Sequence, residues 1–169
     1  MRRIIVIAGA VLLAHGCAKR GEDYSVAGLM KKFEQGDAAA RFDAVTGLKG
    51  HGVEAKPALP LLVKALKDAD RNVRIEAIYA VAAIGPDAEN VLPQLIETLK
   101  APDADVRLAG VYAVAIVGLR SNTAYPSLKA ALGDRDARVR AEAASGIRKL
   151  QLAARFKDAA STAAVTTNK

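Results

Sequence analysis

Residues 70–85 read DRNVRIEAIYAVAAIG, and residues 103–118, 33 positions further on, read DADVRLAGVYAVAIVG. The same spacing of 33 relates aspartates and arginines along most of the chain: Asp37, Asp70, Asp103 and Asp136, and Arg41, Arg74, Arg107 and Arg140. Further columns share it: Pro60, Pro93 and Pro126; Leu66, Leu99 and Leu132; Gly52, Gly85 and Gly118. Several columns that keep one register without insertions predict stacked structural repeats, the pattern of a solenoid.

Each repeat has the pattern of two helices. The apolar residues of the first helix recur every three or four positions, as one helical face requires: Leu59, Leu62, Val63 and Leu66. The core-facing residues of the second helix are spaced in the same way: Val73, Ala77, Val81 and Ile84. Between them, Asp70 is placed to cap the second helix, which Gly85 and Pro86 then end. We therefore predict an all-α solenoid of about four helix pairs, whose first helix spans about Ser25 to Gln35.

The composition agrees with packed helices and excludes several kinds of site. Hydrophobic residues make up 51% of the 169 positions, aromatic residues 4%, and 36 residues are alanine, which favours close-packed helices over a β-sandwich. The single cysteine excludes an internal disulfide framework and a cysteine-based zinc cluster. Because there are two histidines and no nucleophile-elbow, P-loop or dinucleotide motif, we predict no catalytic set, no cofactor and no metal.

The N-terminal segment has the pattern of an export signal. Two arginines precede an apolar run over residues 4–14, which is too short to span a membrane. The Gly16-Cys17 junction resembles the end of a bacterial lipoprotein signal, which implies that Cys17 is lipidated and begins the mature chain. Ala18 stands where an aspartate would imply retention in the inner membrane, so the resemblance implies the periplasmic side of the outer membrane. The alternatives are ordinary secretory cleavage, which leaves Cys17 as a free thiol, and an uncleaved anchor.

The repeat units resemble a known family. A Pro-x-Leu stretch followed by Asp-x-x-Val-Arg, as at residues 70–74, resembles HEAT repeats, specifically the short bacterial type also found in phycobilin-lyase-like proteins. The period also fits ankyrin repeats, but their Thr-Pro-Leu-His pattern is missing. Ala40 and His51 in the first unit and Gln151 in the fourth depart from the family's pattern, as terminal repeats do.

These patterns divide the chain into four parts. We predict a signal peptide at 1–16, a short linker after the lipidated cysteine at 17–23, and a HEAT-like repeat domain at 24–157. The last helix is expected to run to about Lys157, because Gln151 replaces the closing glycine. Residues 158–169 are alanine, serine and threonine without a helical period, and we predict a disordered tail there.

The repeated charges have a structural and a functional interpretation. By resemblance to HEAT repeats, the aspartate and arginine columns form a ladder that pairs within and between units and holds the stack together. The alternative is a phosphate-binding row of arginines. We favour the ladder, because stacking needs the same residues in every unit, whereas a ligand site would break the symmetry.

The second helices have a second face, which points away from the core. At about 100° per residue, Ile75, Tyr79 and Ala82 point away from the core-facing residues of their helix. By resemblance to HEAT solenoids, the second helices line a concave surface that binds a protein partner, and we assign seven residues to it: Phe42, Ile75, Glu76, Tyr79, Leu108, Tyr112 and Ile116. The alternative is plain packing, because a helix sandwiched in a small solenoid can be apolar nearly all round.

Positive charge is concentrated near the C-terminal end. Residues 17–119 carry a net charge of −1, whereas residues 120–157 hold nine basic and three acidic residues. The basic residues are Arg120, Lys129, Arg135, Arg138, Arg140, Arg148, Lys149, Arg155 and Lys157. They predict either a solvated end cap or a surface for anionic lipid or an acidic protein. We do not expect nucleic acid as the partner of an exported chain.

Taken together, these features predict an exported, lipid-anchored scaffold that binds a protein and is not an enzyme. One alternative is a phycobilin-lyase-like or other enzyme-associated role, which the repeat type alone suggests. The other is an anion-binding module that uses the basic C-terminal end.

Overall fold

A computed structural model describes residues 22–166, with side chains as far as residue 156. Within these residues the chain folds into eight α-helices and no strand: α1 Val26–Gln35, α2 Ala38–His51, α3 Leu59–Ala65, α4 Arg71–Ile84, α5 Leu92–Thr98, α6 Ala104–Val117, α7 Ala124–Ala131 and α8 Ala137–Thr166. Three 3₁₀ helices join successive pairs: Gly52–Ala58, Gly85–Val91 and Gly118–Arg120.

The helices form four pairs that stack in chain order. Each odd-numbered helix packs on the even-numbered helix that follows it, and α2, α4, α6 and α8 pack directly on one another. The odd-numbered helices make few contacts among themselves. The second helices therefore form one continuous layer of the stack, and the first helices form the other layer. The predicted α-solenoid is confirmed.

One apolar core runs through the stack between the two layers of helices. The predicted core-facing residues of α4 belong to it: Val73, Ala77 and Val81 are completely buried, and Ile84 is 3% exposed. Its largest fully buried residues are Leu29, Leu48, Leu62, Ile78, Leu92, Leu95 and Leu128. Ala82, which helical geometry placed away from the core, is also buried. The reason is that α2 and α6 cover α4 on both sides.

The second helices begin at the aspartates of the repeat. Asp70 is the N-cap of α4, where its carboxylate accepts hydrogen bonds from the backbone N–H groups of Asn72, at 2.7 Å, and Val73, at 3.1 Å. Asp37 and Asp103 cap α2 and α6 in the same way. These bonds satisfy backbone donors that the first turn of a helix leaves free. The predicted capping role of Asp70 is confirmed.

Two of the closing glycines are required for different reasons. Gly85 ends α4 with φ of 76°, a left-handed conformation that glycine adopts without strain. Gly118 ends α6 with φ of −80°, which any residue can adopt, but a Cβ placed there would lie 2.3 Å from the Cβ of Ala124. The first glycine therefore serves the turn, and the second serves the packing of α7.

The last helix is longer than the sequence pattern predicted. α8 continues to Thr166, so residues 158–166 are helical where we expected a disordered tail. From Ile147 onward α8 contains neither glycine nor proline and is rich in alanine, a composition that supports helix without a tertiary partner. The predicted signal, Cys17 and most of the 17–23 linker lie outside the described residues. Within residues 22–166, no helix combines the length and apolar character needed to span a membrane.

Candidate functional site

The predicted concave face consists of the outward-facing residues of α2, α4 and α6 and the first half of α8. Phe42 on α2 is 36% exposed and Tyr112 on α6 is 38% exposed. The other predicted members are half-buried: Ile75, Glu76, Tyr79, Leu108 and Ile116. Ile75, Tyr79 and Leu108 also pack against the core from this side. The face thus combines exposed aromatic surface with positions that pack one unit against the next.

Two tyrosines meet at the middle of this face. The rings of Tyr79 and Tyr112 lie with centroids 5.8 Å apart and planes at 63°, an edge-to-face contact. The ammonium of Lys149, on α8, lies over the Tyr112 ring, 5.3 Å from its centroid. Burial raises the pKa of the Tyr79 hydroxyl, and the nearby Glu76 carboxylate acts in the same direction. Tyr112 therefore presents its surface to solvent while Tyr79 and Lys149 hold it in place.

Sequence reasoning missed the contact of Lys149 with this face. Lys149 was grouped with the basic C-terminal end, although it occupies the repeat position of Ile116, 33 residues earlier. That shared position was the signal that could have placed it on the concave face. The ring contact then depends on how α6 and α8 cross.

Three acidic side chains lie along the second helices, and two of them, Glu76 and Glu142, act electrostatically on Tyr79. Asp43 accepts a hydrogen bond from Lys32 at 3.3 Å, and Glu76 accepts one from Lys49 at 2.5 Å. Glu142 differs, because its Oε1 is buried, lies 3.7 Å from the Lys149 ammonium and has no hydrogen bond. The Lys149 ammonium is therefore the positive charge that compensates this buried carboxylate oxygen.

The arginine column pairs with different acids from those we expected. The aspartates four residues before each arginine cap helices, whereas Arg41 pairs with Asp68 at 2.7 Å and Arg107 pairs with Asp134 at 2.8 Å. Both acids lie in the turn of the following unit. The guanidinium in each pair holds the pKa of its aspartate below the usual range. Pairing therefore joins successive units, and the column's own aspartates start helices instead.

The other two arginines of the column bond to the backbone. Arg74 donates from Nη1 to the carbonyl oxygens of Asp68 and Ala69, and Arg140 donates from Nη1 to those of Asp134 and Arg135. Within the described side chains, neither arginine forms an ion pair. The column therefore contains two guanidinium groups that are paired with a carboxylate and two that are not, which we call open.

A second set of ion pairs links the starts of the second helices. Arg71 on α4 bonds to Asp103 at 2.7 Å and also to Asp105, and Arg138 on α8 pairs with Asp105 at 2.9 Å. Sequence reasoning missed this set, because Arg71 has alanine at its repeat positions in the other units. The only sequence signal was that the charge of Arg71 is not repeated in the other units, whereas the adjacent Asp70 is.

Several basic residues near the C-terminal end bond to other residues of the stack. Arg138 binds both Asp105 and Asp136 at 2.9 Å, and Arg135 donates to the carbonyl oxygen of Pro102 at 2.7 Å. Bonding to these two carboxylates raises the pKa of Arg138. Lys149 lies over its tyrosine, Arg140 donates to two carbonyl oxygens, and Arg120 lies 3.8 Å from Asp87, so five of the nine basic side chains contact polar or aromatic neighbours.

Other candidate residues have structural surroundings. His51 is half-buried, and its Nε2 lies 2.8 Å from the carbonyl oxygen of Tyr24, as expected for an edge histidine. Among the residues that the structure describes, no group of three or more histidine, cysteine, aspartate or glutamate side chains could hold a metal ion.

Comparison with known proteins agrees with this architecture. A family profile described as HEAT repeats matches residues 26–115. An engineered protein from a structural genomics consortium is similar in fold, with a TM-score of 0.61 and 21% identity over 76% of this chain and 63% of its own. A designed armadillo repeat protein, solved in complex with the peptide (KR)4, has a TM-score of 0.63 and 21% identity over 74% of this chain and 64% of its own.

The chain thus matches somewhat less than two thirds of the length of either solved structure. A comparison with curated proteins gives no match.

Proposed function

Because the chain belongs to the HEAT-repeat family, we propose that it is a non-enzymatic scaffold whose concave face binds a protein partner. The observation that carries the proposal is the tyrosine pair, in which the Tyr112 side chain is 38% exposed. Large, rigid aromatic side chains at the centre of a surface are typical of binding hot spots.

The chemistry of the partner follows from the apolar surface of this face. Phe42, Ile75 and Leu108 provide a row of apolar contacts on three successive second helices. Between them lies the tyrosine pair, whose rings add aromatic surface to the same face. The complex of the designed armadillo repeat protein with a peptide supports a peptide segment as the bound element.

Alanine substitution of Tyr112 tests this binding face. We expect Tyr112→Ala to keep the circular dichroism spectrum and to weaken partner binding by about 2 kcal/mol, roughly 30-fold, because a hot-spot side chain is lost. The partner is first captured from a membrane extract, and its affinity for wild type and variant is then measured by titration. Tyr125→Ala is the matched control, because Tyr125 is 40% exposed but lies on α7, a first helix.

Either of two results would contradict the proposal. One is unchanged affinity of the Tyr112 variant. The other is an equal loss in the Tyr125 variant, which would move the binding site to the other face of the stack.

We further propose that the scaffold is exported and anchored by lipid on Cys17, on the periplasmic side of the outer membrane. The arginines and the apolar run before the Gly16-Cys17 junction support this. Intact-mass measurement of the protein from membranes should show a chain that begins at an acylated Cys17, and Cys17→Ser should release it or block its processing. A mature chain that begins at an unmodified Cys17, or at another residue, would rule the anchor out.

A further inference from the structure

The arginine column contains one position inside the stack where the expected acid is missing. Arg41 binds Asp68 through Nε and Nη2, at 2.7 and 2.9 Å, and Arg107 binds Asp134 in the same way at 2.8 and 2.9 Å. In both pairs the acid lies 27 residues after the arginine. The residue 27 positions after Arg74 is Ala101, whose methyl group cannot accept a hydrogen bond.

The guanidinium of Arg74 is nevertheless held in the same way as that of Arg107. Nη1 of Arg74 donates to two carbonyl oxygens of its own turn, at 2.7 and 2.9 Å, and Nη1 of Arg107 does so at 3.0 and 3.0 Å. In Arg107 the Nε and Nη2 edge bonds to the residue 27 positions later, and the corresponding residue for Arg74, Ala101, lines the same cleft as the arginine. Within the described residues, that edge of Arg74 has no hydrogen bond or ion pair.

A cleft lies at this edge, between the end of α3 and α5. It has a volume of about 440 Å³. One part of its lining is apolar and consists of Val63, Leu66, Ala101, Pro102 and Val106, and the other part is polar and consists of Lys67, Arg74, Gln94, Glu97, Thr98 and Asp103. Both acidic side chains in this lining are paired with cations, Glu97 with Lys100 and Asp103 with Arg71. The cleft therefore combines an open guanidinium edge with an apolar wall.

The next unit contains an equivalent cleft, in which the arginine is already paired with an aspartate of the protein. Between α5 and α7 lies a cleft of about 330 Å³, whose lining includes Ile96, Leu99 and Val139 at the repeat positions of Val63, Leu66 and Val106. Asp134 lines this second cleft and Arg107 does not, because the aspartate covers the guanidinium. The two clefts thus differ in whether the protein supplies its own carboxylate.

We propose that the cleft between α3 and α5 binds a carboxylate that carries a short aliphatic group. The carboxylate accepts two parallel hydrogen bonds from Nε and Nη2 of Arg74, as Asp68 and Asp134 do from their arginines. The aliphatic group packs on the apolar wall. This site lies among the first helices, away from the concave face, and does not depend on the proposed partner binding.

Titration of the full-length protein with hexanoate and hexanamide tests the charge requirement. We expect hexanoate to shift the backbone amide resonances of residues 94–106 in a saturable way, and hexanamide to bind at least about tenfold more weakly, because it cannot form the charge-assisted pair. Equal binding of the two compounds, or shifts elsewhere only, would overturn the proposal.

Titration with N-acetyl-leucine and with its amide tests whether the bound carboxylate belongs to a polypeptide C-terminus or to a small aliphatic acid. Tighter binding of N-acetyl-leucine than of hexanoate assigns the site to a polypeptide C-terminus, and the reverse order assigns it to a small aliphatic acid. Both results require the acid to bind better than its amide.

Two substitutions test the role of the protein's own carboxylate, because one adds it to the first cleft and the other removes it from the second. Ala101→Asp should supply the missing carboxylate to Arg74, raise the melting temperature and reduce hexanoate binding at least tenfold. Asp134→Ala should open Arg107 and raise the number of hexanoate sites from one to two, with folding checked by circular dichroism. Undiminished binding in the Ala101→Asp protein would overturn the proposal even if the second variant does not fold.

Discussion

Arg107 and Arg74 show how one residue type at one repeat position acquires different roles. The Arg107 side chain is 6% exposed and its partner Asp134 is 12% exposed, so their ion pair is almost fully desolvated. Arg74 keeps the same backbone contacts but faces Ala101. The difference depends on a single residue of the following unit.

Removal of the Arg107 side chain should therefore be much more costly than removal of Arg74. We expect Arg107→Ala to lower the free energy of unfolding by about 3 kcal/mol, because it leaves the Asp134 carboxylate buried without a counter-charge. Arg74→Ala loses hydrogen bonds to carbonyl groups but strands no acid, and should cost about 1 kcal/mol. Urea denaturation of both variants provides the measurement, and equal losses would show that the ion pair is not what matters.

At the level of the helices, the aspartate column sets where each second helix begins. Asp103 accepts from the backbone N–H groups of Asp105 and Val106 at 2.8 and 3.2 Å, and also from Arg71. The Arg71 guanidinium and these backbone bonds lower the pKa of Asp103 to about 2. Asp136, at the start of α8, has its pKa lowered to about 2 by Arg138 and by backbone bonds.

These lowered pKa values predict a loss of stability in acid. An unfolded aspartate titrates near pH 3.9, so the stabilisation is fully present above about pH 4 and is lost as the pH falls toward 2. We expect the melting temperature of the wild-type protein to fall over this range. Asp103→Asn is the control, because asparagine also caps helices but does not titrate. Its melting temperature should fall less steeply below pH 4, and an identical fall would contradict the assignment.

At the level of the whole molecule, small residues allow the second helices to pack closely on one another. The second helices approach closely because alanine and glycine lie between them, and a Cβ on Gly146 of α8 would be 2.8 Å from the Cβ of Ala115 of α6. The first helices carry leucine, proline and isoleucine and stay apart. The result is a continuous inner face and separate clefts among the first helices.

The sequence alone determined those features that depend on contacts within one helix or one turn. The period of 33, the capping aspartates and the buried face of α4 all follow from local geometry, because a helix repeats every 3.6 residues and its ends need caps. The same reasoning correctly placed Phe42 and Tyr112 on exposed positions of the second helices.

Only the tertiary structure decided which residues of different units meet. It paired Arg41 with Asp68 rather than with Asp37, laid Lys149 over Tyr112, and left Arg74 open beside Ala101. Periodicity reports which residues share a position in each unit, but contacts between units depend on the distance and angle at which helices cross. Those quantities are set by side-chain volumes throughout the stack, and no single repeat contains them.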